Sequence, residues 1–360
     1  MISAQVKVDR VGIDEIRTEA VSRSKLRAGL VGAGLMGRWH AHALERTGGQ
    51  VVGIADSDFS RAGLLARRHR HAAAYSSVEE MLADRQMDVL HICSPTSSHV
   101  AIATAAIERG VHVLVEKPLA ASAGETSELY GLASEHGALV CPVHQFVFQD
   151  GVAKAKKRLA QVGRIVHIEV DVRSAGGTGL GEKELDSIAD DILPHSLSLI
   201  STFLESRLSG IEWNVLRPTS GEMRIWGLAG EVSLSIFISM NSRPTSNSLQ
   251  IVGAKGTIHI DLFHGFCTFE RGAHSRGKKV LHPFDLAIRN FSGAGINLLR
   301  RALRRESAYP GLRNLIGEFY ESIRMEKASP ISPAEAIEIA RTRDALMAGT
   351  RRQEPNDRLF

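Results

Sequence analysis

Two groups of residues in this chain have the types and spacing to do chemistry on their own evidence. The first is Gly32-Ala33-Gly34-Leu35-Met36-Gly37, directly after the apolar run Leu26–Val31. Between a strand and a helix, the first glycine permits a tight turn. The second lets the backbone approach a pyrophosphate, and the third lets the helix sit close to the strand. The helix then opens at Leu35 and Met36, offering N–H groups and a partial positive charge to an anion. A second apolar run ends at Asp56, 19 residues past Gly37, where a carboxylate is placed to grip a ribose 2′-hydroxyl. Asp56 repels a 2′-phosphate and favours NAD, whereas Ser57 and Arg61 beside it are able to accept one, so NADP stays open. The second group is Asp191 and His195. On a helix, residues four apart share a face. An imidazole with an ordinary pKa of about 6.5 takes an alcohol proton near neutrality. Asp191 then orients it or binds a substrate hydroxyl. This geometry requires Pro194 to lie in the first turn of its helix, where a missing N–H costs little.

The elements that must hold these groups follow from the apolar pattern. Short runs at 26–31, 51–55, 88–93, 111–115 and 138–141 alternate with helical stretches after 37 and at 60–70, 98–109 and 122–136. Strand–helix alternation at this pitch builds a parallel sheet with helices on both faces. From 164 onward the runs are strand-like (164–173, 211–217, 222–229, 231–240, 248–253, 256–262) and joined by short turns, which predicts a largely antiparallel sheet. In 231–240 the apolar residues alternate with Ser233, Ser235, Phe237 and Ser239, so one face packs on a core. The other face is either wet or covered by a second subunit.

The 360 residues, 43% hydrophobic and 23% charged, describe an ordinary soluble chain of two domains or three at roughly 100–200 residues each. Three widely spaced cysteines, Cys93, Cys141 and Cys267, exclude a disulfide framework and a structural zinc site and suit a reducing cytoplasm. No metal site is expected. Residues 1–24 lack the apolar stretch of a secretory signal and read as an extension. The net charge is +4, yet residues 270–310 hold nine Lys/Arg and three Asp/Glu. A basic patch confined to one late segment, with aromatics at 5%, argues against a nucleic-acid binder. Within that segment, 285–306 is a basic amphipathic helix. It either docks its apolar face on its own sheet or lies on an anionic membrane or lipid-linked substrate.

Three motifs in order, Gly32–Gly37, Ser94-Pro95-Thr96-Ser97-Ser98-His99 and Glu116-Lys117-Pro118, together resemble the Gfo/Idh/MocA oxidoreductases (glucose–fructose oxidoreductase, inositol dehydrogenase and relatives). The likeness continues through Gly163–Val172 and the closing helix Ser332–Asp344. It implies an α/β fold: a Rossmann dinucleotide-binding domain (25–145), then an α+β domain with a large open sheet (146–330) for substrate and oligomerisation. A C-terminal helix and tail (331–360) return to the first domain. It also implies NAD(P)-dependent hydride transfer to or from a secondary alcohol of a sugar, polyol or nucleotide-sugar, in a dimer or tetramer. By this resemblance Ser94, Pro95, Thr96, His99 and Glu116 join the glycine loop in holding the cofactor. Lys117 lies beside both nicotinamide and reacting hydroxyl, where an ammonium stabilises alkoxide charge. Gln145, Arg173 and Ser198 are candidate substrate contacts, although Ser198 stands where relatives carry an acid. Relatives also include redox-neutral glycosidases and nucleotide-binding regulators, two alternative readings.

Overall fold

The computed structural model describes residues 25–272, 276–304 and 308–352; the expected extension 1–24 lies outside them. The first sheet has six parallel strands: β1 (Leu26–Val31), β2 (Gly49–Ala55), β3 (Ala73–Tyr75), β4 (Val89–Ile92), β5 (His112–Val115) and β6 (Val140–Pro142). Their order is β3-β2-β1-β4-β5-β6, every pair parallel. The order reverses between β1 and β4, the crevice where doubly wound sheets bind ligands. Helices α1 (Leu35–Leu44), α2 (Phe59–Ala66), α3 (Val78–Asp84), α4 (His99–Ile107) and α5 (Ala123–Glu135) make the crossovers. Neither β3 nor α3 was expected. Ala73-Ala74-Tyr75 is too short and too little buried to leave an apolar run.

After α6 (Asp150–Val162) come β7 (Ile165–Arg173) and α7 (Glu182–Phe203). Then follow β8 (Glu212–Arg217), β9 (Glu222–Ala229), β10 (Val232–Ser239), β11 (Ser246–Gly253), β12 (Gly256–Asp261) and β13 (Phe266–Arg271). With β14 (Arg351–Arg352) they form one sheet in the order β13-β12-β11-β7-β10-β9-β8-β14. Only β7/β10 and β8/β14 run parallel, so the mostly antiparallel open sheet is present. Its inner face (Ile168, Val170, Ile225, Leu234, Ile236, Ile251) packs with Leu193, Leu197, Ile200 and Phe203 of α7 in a second core. On β9 the outward residues Trp226 and Leu228 stand 47% and 64% exposed.

Three further helices complete the chain: α8 (Arg276–Arg304), α9 (Leu312–Arg324) and α10 (Pro333–Ala348). The sequence reading put 312–324 in the second domain. The structure places Leu312, Leu315, Ile316, Phe319 and Tyr320 of α9 in the first core. Helix α10 bridges the two, with Ala336 in the first core and Ile339 and Leu346 in the second. Its Arg343 donates to the carbonyls of Ala120 (3.1 Å) and Ala121, and Asp344 accepts the Ala123 N–H at 2.7 Å. The closing helix thereby fixes the loop that follows Lys117 and Pro118.

Candidate functional site

The glycine loop sits at the end of β1. Gly32 has φ +90°, and a Cβ there would lie 2.6 Å from the Cys93 carbonyl oxygen. A Cβ on Gly37 would lie 1.8 Å from the carbonyl oxygen of Gly32. Both glycines are therefore demanded by the fold itself. Gly34 is different: its φ is −70° and a Cβ would meet nothing within 4 Å. Open space over an unstrained glycine is what a pyrophosphate cradle requires. Helix α1 starts there without a side-chain cap, whereas α2, α3, α5 and α10 are capped by Asp58, Ser77, Ser122 and Ser332. Leu35 is exposed at this mouth and Met36 leans on the core.

Asp56 is 8% exposed at the end of β2. Its carboxylate accepts the N–H of Ala33 (2.7 Å) and of Asp58 (2.9 Å), together with Arg61 Nη2 (3.0 Å). It is thus fastened to the glycine loop, with Ser57 exposed next to it. These residues fit a dinucleotide: an open phosphate cradle, an uncapped helix start and a carboxylate at the neighbouring strand end.

The loops after β4 and β5 are tied together by a residue read as a cofactor contact. His99 is fully buried, its Nδ1 at 2.9 Å from the Pro118 carbonyl and its Nε2 at 2.9 Å from that of Ser94. It joins the two loops and touches no open space. Ser94 Oγ and Ser98 Oγ lie 2.7 Å apart, and Pro95 is extended before the single turn Thr96–Ser98.

Glu116 likewise has both oxygens engaged inside the protein. Oε2 accepts the Lys117 N–H at 3.2 Å and Oε1 lies 3.1 Å from His40 Nε2. Behind it runs a buried chain in which His40 Nδ1 is 2.9 Å from His91 Nδ1, and His91 Nε2 is 2.8 Å from the Tyr320 hydroxyl. With Glu116 ionised and both imidazoles neutral, Tyr320 O–H donates to His91, His91 to His40, and His40 to Glu116. Burial, then the neighbouring His40, push His91 well below its ordinary pKa, in keeping with a neutral ring. The sequence gives no sign of this chain. Its members are spread over a helix, two strand ends and α9, and meet only in the fold.

Opposite stands α7. It begins at Glu182, so Pro194 lies in its interior and not in its first turn. An interior proline removes one helical hydrogen bond and crowds the preceding turn, at about 3 kcal/mol. Burial of Leu193, Leu197, Leu199 and Ile200 around it offsets that cost, roughly 1.5–3 kcal/mol for each fully buried side chain. In the weakened turn, the Asp191 carbonyl accepts from Lys117 Nζ at 2.8 Å. The contact is therefore with the main chain of Asp191; its side chain belongs to an exposed residue. Nor does Asp191 orient His195, whose buried Nδ1 has no protein partner.

His195 is 6% exposed, with the Phe146 ring centroid at 4.5 Å and that of His144 at 6.4 Å. Burial, then the Lys117 ammonium, then His144, hold its pKa well below the ordinary imidazole value. His144 is itself lowered to about 4, chiefly by burial. The fold sets it against His195.

The remaining candidates are placed as follows. Gln145 is 4% exposed with Oε1 unpartnered. Ser198 is fully buried and donates to the His195 carbonyl at 2.8 Å, so it braces the helix and does not face a ligand. Arg173 has its guanidinium engaged by Asp171 through Nε at 2.8 Å and through Nη2, which removes it as a ready anion receptor. Arg217 was missed. It is 5% exposed on β8 and pairs with Asp186 (2.8 Å) and Asp190 of α7, anchoring the helix that carries His195. The signal was the i, i+4 spacing of the two acids; their partner lies on another element. Among the described residues, no group of three or more His, Cys, Asp or Glu is placed to hold a metal ion.

Three buried imidazoles make stability depend on pH. His91, His144 and His195 are all depressed in the folded state, so the unfolded chain binds more protons below about pH 6.5. Stability is then full above that pH and falls as the solution is acidified, by up to about 1.4 kcal/mol per histidine per pH unit. Thermal melts should show Tm dropping steadily from pH 7 to about 5.5; an unchanged Tm would contradict the burial of these rings.

A doubly wound parallel-sheet domain, joined to a large, mostly antiparallel open-sheet domain whose helix meets the Lys117 ammonium, is the class that this fold and site define. Residues 26–144 match the profile of the oxidoreductase family with an NAD-binding Rossmann fold, GFO_IDH_MocA. Over 134 residues it is 35% identical to UDP-N-acetylglucosamine 3-dehydrogenase of Acidithiobacillus ferrooxidans, covering 35% of this chain and 42% of that one. Over 116 residues it is 31% identical to scyllo-inositol 2-dehydrogenase (NADP(+)) IolU of Bacillus subtilis, covering 32% and 35%. The chain thus spans about two fifths of the length of these curated relatives. In overall fold it is similar to the WlbA dehydrogenase from Bordetella pertussis solved with NADH and UDP-GlcNAcA (TM-score 0.72, 17% identity, 91% of this chain and 95% of that one). It is also similar to a levoglucosan dehydrogenase solved with NADH and levoglucosan (TM-score 0.73, 19% identity, 91% and 97%).

Proposed function

We propose that this protein is an NAD(P)-dependent dehydrogenase acting on a secondary alcohol of a sugar, polyol or nucleotide-sugar. The observation that carries the reading is the meeting of the Lys117 ammonium with the helix of a neutral, partnerless His195, beside a glycine loop whose Gly34 faces open space. When bound, the nicotinamide supplies hydride acceptance or donation. Everything else falls to the chain. Lys117, braced by the Asp191 carbonyl, stabilises negative charge on the substrate oxygen as the carbon is oxidised. His195 takes the hydroxyl proton; burial and Lys117 keep it deprotonated and ready to accept. The Tyr320–His91–His40–Glu116 chain holds the loop that carries Lys117. The Asp56 carboxylate favours NAD, with Arg61 the feature that would admit a 2′-phosphate.

We place the protein in the cytoplasm, on its three free cysteines; among the described residues, no helix is long and apolar enough to cross a membrane. A second subunit belongs on the open sheet face that exposes Trp226 and Leu228.

The test is reduced-nicotinamide absorbance and fluorescence over a panel of polyols, sugars and nucleotide-sugars, with NAD and NADP in parallel. Turnover with one of these classes, faster with NAD, is the expected result. Tight dinucleotide binding without turnover across the whole panel would sink the dehydrogenase reading and favour a regulator. Substrate cleavage with no net nicotinamide change would favour the redox-neutral alternative.

A further inference from the structure

Helix α8 is assembled the wrong way round for a helix that serves its own core. Its 29 residues, Arg276–Arg304, carry seven Lys/Arg and one Asp. At about 100° per residue, Phe284, Ile288, Phe291, Leu298 and Leu299 fall within one arc of about 100°, with Leu303 about 40° beyond its edge. A stripe of this kind ordinarily packs inward. Here those six side chains are 68%, 65%, 81%, 70%, 63% and 77% exposed.

The opposite, polar side does the docking. His282 Nε2 meets Glu270 Oε1 at 2.7 Å. Asn297 Nδ2 and Arg301 Nη1 donate to the His264 carbonyl at 2.7 and 3.1 Å. Arg304 pairs with Asp150 at 3.0 Å, and Gly293 lies against the Phe266 ring. The expectation that the apolar face packs on its own sheet is overturned: α8 is held by hydrogen bonds and turns its apolar stripe outward.

We propose that α8 is a membrane-surface helix that lays this stripe into the headgroup boundary of an anionic bilayer. The charge decides between occupants. Two copies meeting through this face would bring two strongly cationic helices together. Arg289 is already paired with Asp285 at 2.7 Å; a leaflet of anionic lipid supplies further negative charge to it and to Arg300, both exposed. A length of 20–30 residues, low net hydrophobicity, a cationic polar side and Phe and Leu opposite are the features of helices that lie in the interface plane.

The experiment is flotation of the full chain with vesicles of phosphatidylcholine alone or mixed with phosphatidylglycerol, without dinucleotide or substrate, so that its outcome is independent of the proposed activity. Wild type should float with the mixed vesicles and not with phosphatidylcholine, and should release at high salt. Phe284→Ser combined with Phe291→Ser should weaken binding at least about tenfold. Arg289→Glu with Arg300→Glu should weaken it about fivefold or more per charge. All four side chains are exposed, and unchanged melting curves show that the variants fold. Absence of flotation at every composition, or flotation indifferent to phosphatidylglycerol, overturns the proposal. So does a dimer in sedimentation equilibrium that the Phe284→Ser, Phe291→Ser variant converts to monomer without vesicle binding by wild type, which would give the stripe to a second copy.

Discussion

Replacing Lys117 with alanine should lower kcat by about 10²–10³ while leaving dinucleotide affinity nearly unchanged, since one preorganised charge stabilising a developing oxyanion is worth about that much. Nζ reaches the Asp191 carbonyl across the crevice, a position that loses its cation entirely in the variant. Arginine should not rescue it, because a planar fork replaces a compact ammonium. A second readout separates chemistry from packing. The Lys117 charge is one of the causes that depress His195, so its removal lets the His195 pKa rise. The acid limb of the kcat/KM profile should therefore move to higher pH in Lys117→Ala. A large fall in kcat with an unmoved limb would mean that the lysine and the histidine do not share a site.

The second large effect separates two glycines of one loop. Gly37→Ala puts a Cβ 1.8 Å from the Gly32 carbonyl, a main-chain atom that cannot swing aside. Helix α1 must lift from the sheet, and overpacking of this kind costs roughly 1–3 kcal/mol or more. The expected readout is a Tm lower by about 3–10 °C. Gly34→Val places its Cβ where nothing lies within 4 Å, so its melting curve should match wild type while NADH affinity falls at least about tenfold, or ~1.4 kcal/mol. Fluorescence titration with NADH measures the second quantity. A Gly34→Val protein that binds NADH normally would remove the glycine loop from the cofactor site.

The parts of this architecture that could be read from the chain are those set by local pattern. The glycine loop, the strand run ending at Asp56, the alternation in 231–240 and the closing helix each carry their signal within a dozen residues, and each lies where that signal puts it. Pro194 shows the limit. Local rules start a helix there, with the proline in its first turn, but the burial of α7 on the second sheet and the ion pairs to Arg217 carry the helix through it. Helix α8 shows another. Its amphipathic period was plain, yet periodicity names two faces without saying which one docks. His99 and Glu116 show a third. Their positions were legible and their partners were not, because His40, His91 and the Pro118 carbonyl reach them only through the tertiary fold.

The path from Glu116 to Tyr320 also bears on how this protein is made. All five sheet-one crossovers and all six of its parallel strands are complete once residue 142 has been synthesised, but the hydroxyl that satisfies His91 arrives on α9, after every strand from β7 to β13 has left the ribosome. Until then the nascent first domain carries a gap beneath its own dinucleotide crevice. A fragment cut near residue 145 should inherit that gap permanently, and cofactor binding should mature late in translation instead of with the first sheet.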